Sequence, residues 1–255
     1  MSLLEVVAVL LAGVAAGTIN TVVGSGSLVT FPTLLALGFS PVVANVTNTV
    51  GLVPGSVSGA IGYRRELTGQ AGRLLRLGVA ALLGGLLGGV LLLTLDEAVF
   101  ETVVPVLILL GCLLVVAQPR LSAWMRRRRE GEVPRHHGSW LVWVGVMATS
   151  VYGGYFGAAQ GVLFLAVLGL GLDETLQRVN ASKNVLAALV NGVAALLFAV
   201  VAEVDWSTAG VLAVGATIGG QVGATVGRRL PDWALRTFVV VVGVVAVTHF
   251  VLGDG

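Results

Sequence analysis

Apolar residues fill this chain in long stretches, broken by short polar or glycine-rich gaps. Runs near residues 3–19, 77–93, 99–117, 140–152, 185–202, 208–227 and 237–252 approach or reach the roughly 20 residues a helix needs to cross a bilayer. Reading the gaps as helix ends predicts five segments in each half. They are 3–21, 27–37, 41–62, 70–93 and 98–117, then 139–155, 161–171, 175–201, 207–228 and 233–251. The second segment of each half is short: about 11 residues reach about 17 Å, roughly half of a hydrocarbon core. It follows a glycine-rich break, Asn20-Thr21-Val22-Val23-Gly24-Ser25-Gly26-Ser27 in one half and Gly153-Gly154-Tyr155-Phe156-Gly157-Ala158-Ala159-Gln160-Gly161 in the other. Glycine costs about 1 kcal/mol against alanine inside a helix, so each break is a place for non-helical backbone. Such backbone is tolerated at membrane depth only where protein or a watered cavity satisfies it.

The two halves are copies. At an offset of 135 residues Gly26 meets Gly161, Leu28 meets Leu163, Asn45 meets Asn180, Thr47 meets Ser182, Gly84-Gly85 meets Gly219-Gly220, Gly88 meets Gly223 and Leu95 meets Leu230. Duplicated membrane units with polar residues at matching depths are the layout of a secondary transporter.

Composition excludes an ordinary soluble domain. Of 255 residues, 56% are hydrophobic and 11% charged, against about 25% charged in soluble domains. The formal net charge of +2 comes mainly from loop arginines, so it speaks of orientation and anionic lipid rather than of nucleic acid. Arg64, Arg65, Arg73 and Arg76 follow the third segment. Arg120, Arg126, Arg127, Arg128, Arg129 and Arg135 lie between the halves, and the acidic turn Asp96-Glu97 lies between these two basic loops. In the second half the signs swap: Glu203 and Asp205 follow the third segment, and Arg228 precedes the turn Arg229-Leu230-Pro231-Asp232. The same loop is then inside in one half and outside in the other.

The expected fold is an all-α integral membrane protein of two inverted-topology repeats. Each is a re-entrant or broken helix hairpin plus three spanning helices. Residues 1–117 form the first repeat, 118–138 a basic cytoplasmic linker and 139–255 the second repeat, with the N-terminus outside. The first apolar run has no basic residues before it and carries Glu5, so it reads as a retained helix. Cys112 stands in an apolar run without a partner for a disulfide or a metal, and His136 and His137 are adjacent in a loop. No metal triad, Ser–His–Asp set or pair of deep carboxylates is present. The sequence therefore predicts no catalytic residues, metal or cofactor, and it carries nothing on oligomeric state.

Gly17-Thr18-Ile19-Asn20 through Gly24-Ser25-Gly26-Ser27, then Phe31-Pro32 and Ala44-Asn45-Val46-Thr47-Asn48, resemble the opening of the sulfite exporter TauE/SafE family. Gly153-Gly154-Tyr155-Phe156-Gly157 through Gly161, then Asn180-Ala181-Ser182-Lys183-Asn184, are similar to its second half. The resemblance implies a permease of a bacterial or archaeal inner membrane. It implies a small sulfur-containing anion as substrate, such as sulfite, sulfoacetate or a related organosulfonate. Transport of another small anion, in either direction, is the alternative. A membrane enzyme lacks its constellation here, and a non-transporting scaffold has no use for the features that follow.

Lys183 falls about eight residues into its helix, about 12 Å deep, with no acidic residue one turn away. Three readings stand: a cation for an anionic substrate, a side chain snorkelling to the headgroups, or a donor to hairpin carbonyls. Asn45 and Asn180 match across the repeat and are expected at the hairpin tips of their own halves, fixing unwound backbone together with Asn20, Gly24 and Gly157. Asn48 and Asn184 fit substrate contact better. Helices starting near Ser27 and Gly161 would aim free N–H groups at the centre, where Ser25, Gly26, Ser27, Gln160 and Gly161 could hold an oxyanion. Tyr155 either closes one side or packs. Gly24-Ser25-Gly26-Ser27 lacks the lysine and the strand of a phosphate-binding loop. Gly84, Gly85, Gly88, Gly89, Gly219, Gly220, Gly223 and Gly227 read as close-packing helix faces. The carboxylates lie near segment ends, so a buried proton relay is not expected. A 100 mV potential, inside negative, supplies about 2.3 kcal/mol to each exported monoanion.

Overall fold

The structure is a computed structural model that describes residues 1–128, 139–226 and 232–253. The rest of the linker, with Arg129, Arg135, His136 and His137, lies outside the described residues. So does the turn with Gly227, Arg228, Arg229, Leu230 and Pro231.

The described residues form helices and no strand. The first-half helices are α1 (Leu3–Val22), α2 (Ser27–Ala36), α3 (Pro41–Gly62), α4 (Ala71–Thr94) and α5 (Glu97–Arg128). Those of the second half are α6 (Trp140–Tyr155), α7 (Gln160–Gly171), α8 (Leu176–Val201), α9 (Trp206–Thr225) and α10 (Asp232–Gly253). Local chemistry sets the ends. The Glu5 N–H donates to Ser2 Oγ at 3.3 Å while the Ser2 N–H donates to Glu5 Oε2 at 2.8 Å, a reciprocal cap that starts α1. Pro41 opens α3, where its missing N–H costs nothing. Thr175 and Asp205 cap α8 and α9. By length and composition, α1, α4, α8 and the Glu97–Arg120 part of α5 can each cross a membrane. α5 continues to Arg128, well into the stretch expected as linker. Pro119 does not end it, and the residues that follow are mostly good helix formers.

The halves interlock rather than sit side by side. The most extensive contacts run between α1 and α9, α3 and α9, and α4 and α6, with α3 and α4 also against α8. Glycine permits this approach. A Cβ on Gly88 would lie 2.0 Å from the Val151 carbonyl oxygen of α6, and one on Gly219 2.1 Å from the Val14 carbonyl oxygen of α1. The fourth helix of each half thus presses its glycine face onto the first helix of the other.

Candidate functional site

Both hairpins break where glycine adopts a left-handed backbone. Gly24 has φ 92° and Gly157 has φ 77°, and between the second pair of helices Ala159 also sits at φ 58°, a conformation unusual for a residue with a Cβ. The two breaks touch. The Gly161 N–H donates to the Gly24 carbonyl at 2.9 Å. A Cβ on either glycine would fall 2.5 Å or less from the Cα of the other.

This contact makes the two helix starts unequal. Gly161 has spent its N–H on Gly24, and the Gln160 and Val162 N–H groups donate to the Gly157 and Ala159 carbonyls. The expectation that α7 offers free N–H groups to the centre is therefore corrected at Gly161. The α2 start does keep them: among the described residues no acceptor meets the N–H groups of Ser25, Gly26 and Ser27.

Lys183 is 1% exposed, so it does not snorkel. Its Nζ donates to the Asn20 carbonyl at 2.8 Å and the Thr21 carbonyl at 3.1 Å. The amides of Asn180 and Asn184 donate to the Thr21 carbonyl as well, at 3.2 and 3.4 Å. These carbonyls belong to the last turn of α1, where the helix has no donors of its own and carries its negative dipole end. In the other half the Asn45 amide donates to the Tyr155 carbonyl, at the end of α6, at 2.9 Å. Each asparagine holds the hairpin of the opposite half, which corrects the expectation that each serves its own. The reason is the interlock: α3 packs on α8, and each sets its asparagine against the hairpin of the other half.

Some polar atoms at the tips are buried without a partner: Ser25 Oγ, Gln160 Nε2, Asn45 Oδ1 and Asn180 Oδ1. Ser25 and Gln160 are 1% and 3% exposed. The Gln160 amide lies over Gly153, where a Cβ would come within 2.2 Å of Nε2. Buried polar groups are ordinarily paired, so such orphans mark a place for a ligand or water. Asn48 accepts a hydrogen bond from Thr30 Oγ1, joining α3 to α2. The Tyr155 ring packs edge-on against Phe100 at 5.5 Å, and Phe156 does the same against Phe31 at 5.1 Å. Ser27 and Asn20 are half-buried, and the Asn20 amide donates to Ser56 Oγ at 3.3 Å.

Sequence reasoning missed Ser56 and Asn191. The Asn191 amide donates to Ser56 Oγ at 3.4 Å, and the two stand 135 positions apart, so the repeat itself was the signal that could have found them. A groove of 580 Å³ lined by Val50, Pro54, Leu82, Leu189, Gly192 and Trp206 holds none of the tip residues. Its walls are apolar.

On the loop side of α8, Glu174 accepts from Arg178 Nε at 2.6 Å and from Arg73 Nη2 at 3.0 Å. Burial alone would raise its carboxyl pKa, but the hydrogen bonds and charges of Arg178 and Arg73 outweigh burial and hold it below the usual carboxylate range.

The sequence profile of the sulfite exporter TauE/SafE family matches residues 9–250 of this chain. A relative from Escherichia coli (strain K12), "Probable membrane transporter protein YfcA", is 28% identical over 232 residues, which cover 90% of this chain and 83% of that protein. A "Probable membrane transporter protein" from Haemophilus influenzae is 26% identical over 247 residues, covering 95% of this chain and 93% of its own length. With so nearly the whole chain matched, this multi-pass membrane protein belongs to the sulfite exporter TauE/SafE family of membrane transporters.

Proposed function

We propose that this transporter exports a small sulfur-containing anion, sulfite, sulfoacetate or a related organosulfonate, by alternating access at the joined hairpin tips. The observation that carries the reading is Lys183: a buried cation that no carboxylate pairs among the described residues. Burying an unpaired ammonium costs several kcal/mol in order of magnitude, and a bound anion offsets that cost. Lys183 has three N–H donors and uses two on carbonyls. Ser25 Oγ, Gln160 Nε2 and the N–H groups at the α2 start supply further donors. On this reading Ser25, Gly26, Ser27, Asn48, Tyr155, Gln160, Gly161, Lys183 and Asn184 surround the anion, and the family's description as sulfite exporters supports the substrate class. The test is binding and flux. In proteoliposomes, efflux of radiolabelled sulfite should rise with the protein present and with a potential negative on the sulfite side. Efflux equal to that of empty liposomes, with no thermal shift by sulfite or sulfoacetate, rejects the substrate class. A shift by carboxylates alone would reassign it.

The same reading takes residues 1–117 and 139–255 as inverted repeats joined by the basic stretch 118–138, in an inner membrane, with the N-terminus outside. The arginine-rich loop after α3 and the acidic loop after α8 support that orientation. In a Cys112→Ala background, a cysteine at Ser2 should react with an impermeant thiol reagent from outside, and one at Thr68 only from inside. Labelling of both from one side would overturn the topology.

A further inference from the structure

Arg73, Glu174 and Arg178 form a graded cluster on one face of the protein. Their side chains are 5%, 15% and 30% exposed, so Arg178 stands at the rim, Glu174 below it and Arg73 deepest. By themselves the three side chains sum to a positive charge, two guanidinium groups to one carboxylate. Arg73 also donates to Gln70 Oε1, and Ser182 Oγ donates to the same oxygen at 2.7 Å. Ser182 is the neighbour of Lys183, whose ammonium reaches the first hairpin tip. A hydrogen-bonded line therefore runs inward from the rim, in the order Arg178, Glu174, Arg73, Gln70 and Ser182, and Ser182 precedes on α8 the lysine that holds the first hairpin tip. The cluster also ties elements together: Arg73 belongs to α4, Glu174 to the turn before α8, and Arg178, which donates to the Thr68 carbonyl at 3.1 Å, to α8.

The repeat shows that packing alone does not demand this cluster. The Ser182–Gln70 contact has a counterpart 135 positions away: the Asp205 N–H donates to Thr47 Oγ1 at 3.1 Å. At that second place Phe39 stands where Glu174 would be, Thr208 where Arg73 would be and Val43 where Arg178 would be. The neutral contact is duplicated and the ionic one is not.

We propose that Arg73 and Arg178 form an oxyanion site at the cytoplasmic mouth, which the Glu174 carboxylate occupies until a substrate anion displaces it. A sulfonate or sulfite presents oxygen acceptors to two guanidinium groups much as a carboxylate does. Displacement cuts the tie between Arg73 of α4 and the turn before α8, so arrival of an anion loosens that face of the protein. This inference rests on the anion-transport reading and on its orientation, and deepens both.

The test needs a reporter at the tip that does not depend on sulfite. In a Cys112→Ala, Ser25→Cys background, inside-out membrane vesicles are treated with the anionic 2-sulfonatoethyl methanethiosulfonate or its trimethylammonium counterpart. The anionic reagent should react about tenfold faster than the cationic one, from focusing by the arginines. Glu174→Gln should raise the anionic rate by about fivefold or more, because the competing carboxylate charge is gone. Arg73→Gln and Arg178→Gln should each lower the anionic rate without slowing the cationic one, and Arg73→Lys should retain much of it. Should Arg73→Gln fail to elute as folded protein, Arg178→Gln at the rim carries the same comparison. Equal changes for both reagents, an unchanged anionic rate in Glu174→Gln, or a Ser25→Cys thiol that never reacts from this side would each overturn the site. Absence of sulfite binding by the protein with Ser25 in place, with the reagent pattern intact, would reject the substrate reading alone.

Discussion

Lys183→Met should weaken sulfite binding by about 30-fold or more, the lower end of what truncating one member of a buried charged pair costs, while the chain still folds. The side chain is buried, and its ammonium lies against the end of α1. Removing it leaves the Asn20 carbonyl without that donor, whereas the Thr21 carbonyl keeps Asn180 and Asn184. An unsatisfied carbonyl costs about 1–3 kcal/mol. Against that stands the relief of no longer burying a charge, so the net effect on folding is small. Lys183→Gln separates the two roles of the lysine. Glutamine can still donate to a carbonyl but brings no charge, so it should rescue thermal stability and leave sulfite binding weak. Titration calorimetry of the three proteins in detergent decides the matter. Binding by Lys183→Gln equal to the parent's would mean that the ammonium only staples the hairpin, and the anion reading would lose its main support.

The repeat places a neutral residue where the second copy of this lysine would stand. Asn48 lies 135 positions before Lys183 and pairs with Thr30 rather than with a hairpin carbonyl. Among the described residues one lysine, not two, therefore reaches the hairpin tips. On the anion reading, with Lys183 protonated, the empty site carries one positive charge and the site loaded with a monoanion carries none. The loaded form then crosses without charge movement, and the return of the empty form inward is the step drawn by an inside-negative potential. At most about 2.3 kcal/mol per 100 mV acts on that return. No proton-carrying carboxylate is needed for this cycle.

Much of the fold was legible because membrane helices announce themselves by length and apolar runs. The glycine breaks then located the hairpins, and the boundaries of α2, α3 and α7 fall within a residue or so of those expected. The far end of α5 was not legible, because arginines that favour a helix also read as the charged loop that fixes orientation. The crossed anchoring was hidden for a different reason. A repeat tells which positions are equivalent, but not whose hairpin an equivalent asparagine will hold; that depends on how α3 and α8 pack. The inequality of the two helix starts was hidden as well, since the Gly161 N–H is lost to Gly24, a contact between residues 137 positions apart. For Lys183 the sequence left snorkelling and a contact with hairpin carbonyls both open, because depth along a helix does not say which neighbouring helix the ammonium will meet; it meets the end of α1.

Gly161→Ala should lower stability by about 1–3 kcal/mol, the usual range for overpacking a tight contact, and should abolish sulfite binding by pushing the tips apart. A Cβ there would lie 2.4 Å from Gly24 Cα and 2.8 Å from the Gly24 carbonyl oxygen, both backbone atoms that cannot rotate aside. Gly24→Ala meets the same wall from the other side, at 2.5 Å from Gly161 Cα, and adds the strain of φ 92°. Gly38 gives the control, with φ 88° and nothing within 4 Å of its absent Cβ. Gly38→Ala should therefore report the backbone strain alone, about 1–2 kcal/mol, with binding unchanged. The difference between Gly24→Ala and Gly38→Ala isolates the contact between the tips. Because both tip substitutions break one contact, their costs should not add: once Gly161→Ala has separated the hairpins, Gly24→Ala has only its strain left to contribute. Thermal unfolding in detergent measures all four proteins, with sulfite titration alongside. A double variant whose cost equals the sum of the singles, or a Gly161→Ala protein that binds sulfite as the parent does, would mean that the tips do not act as one site.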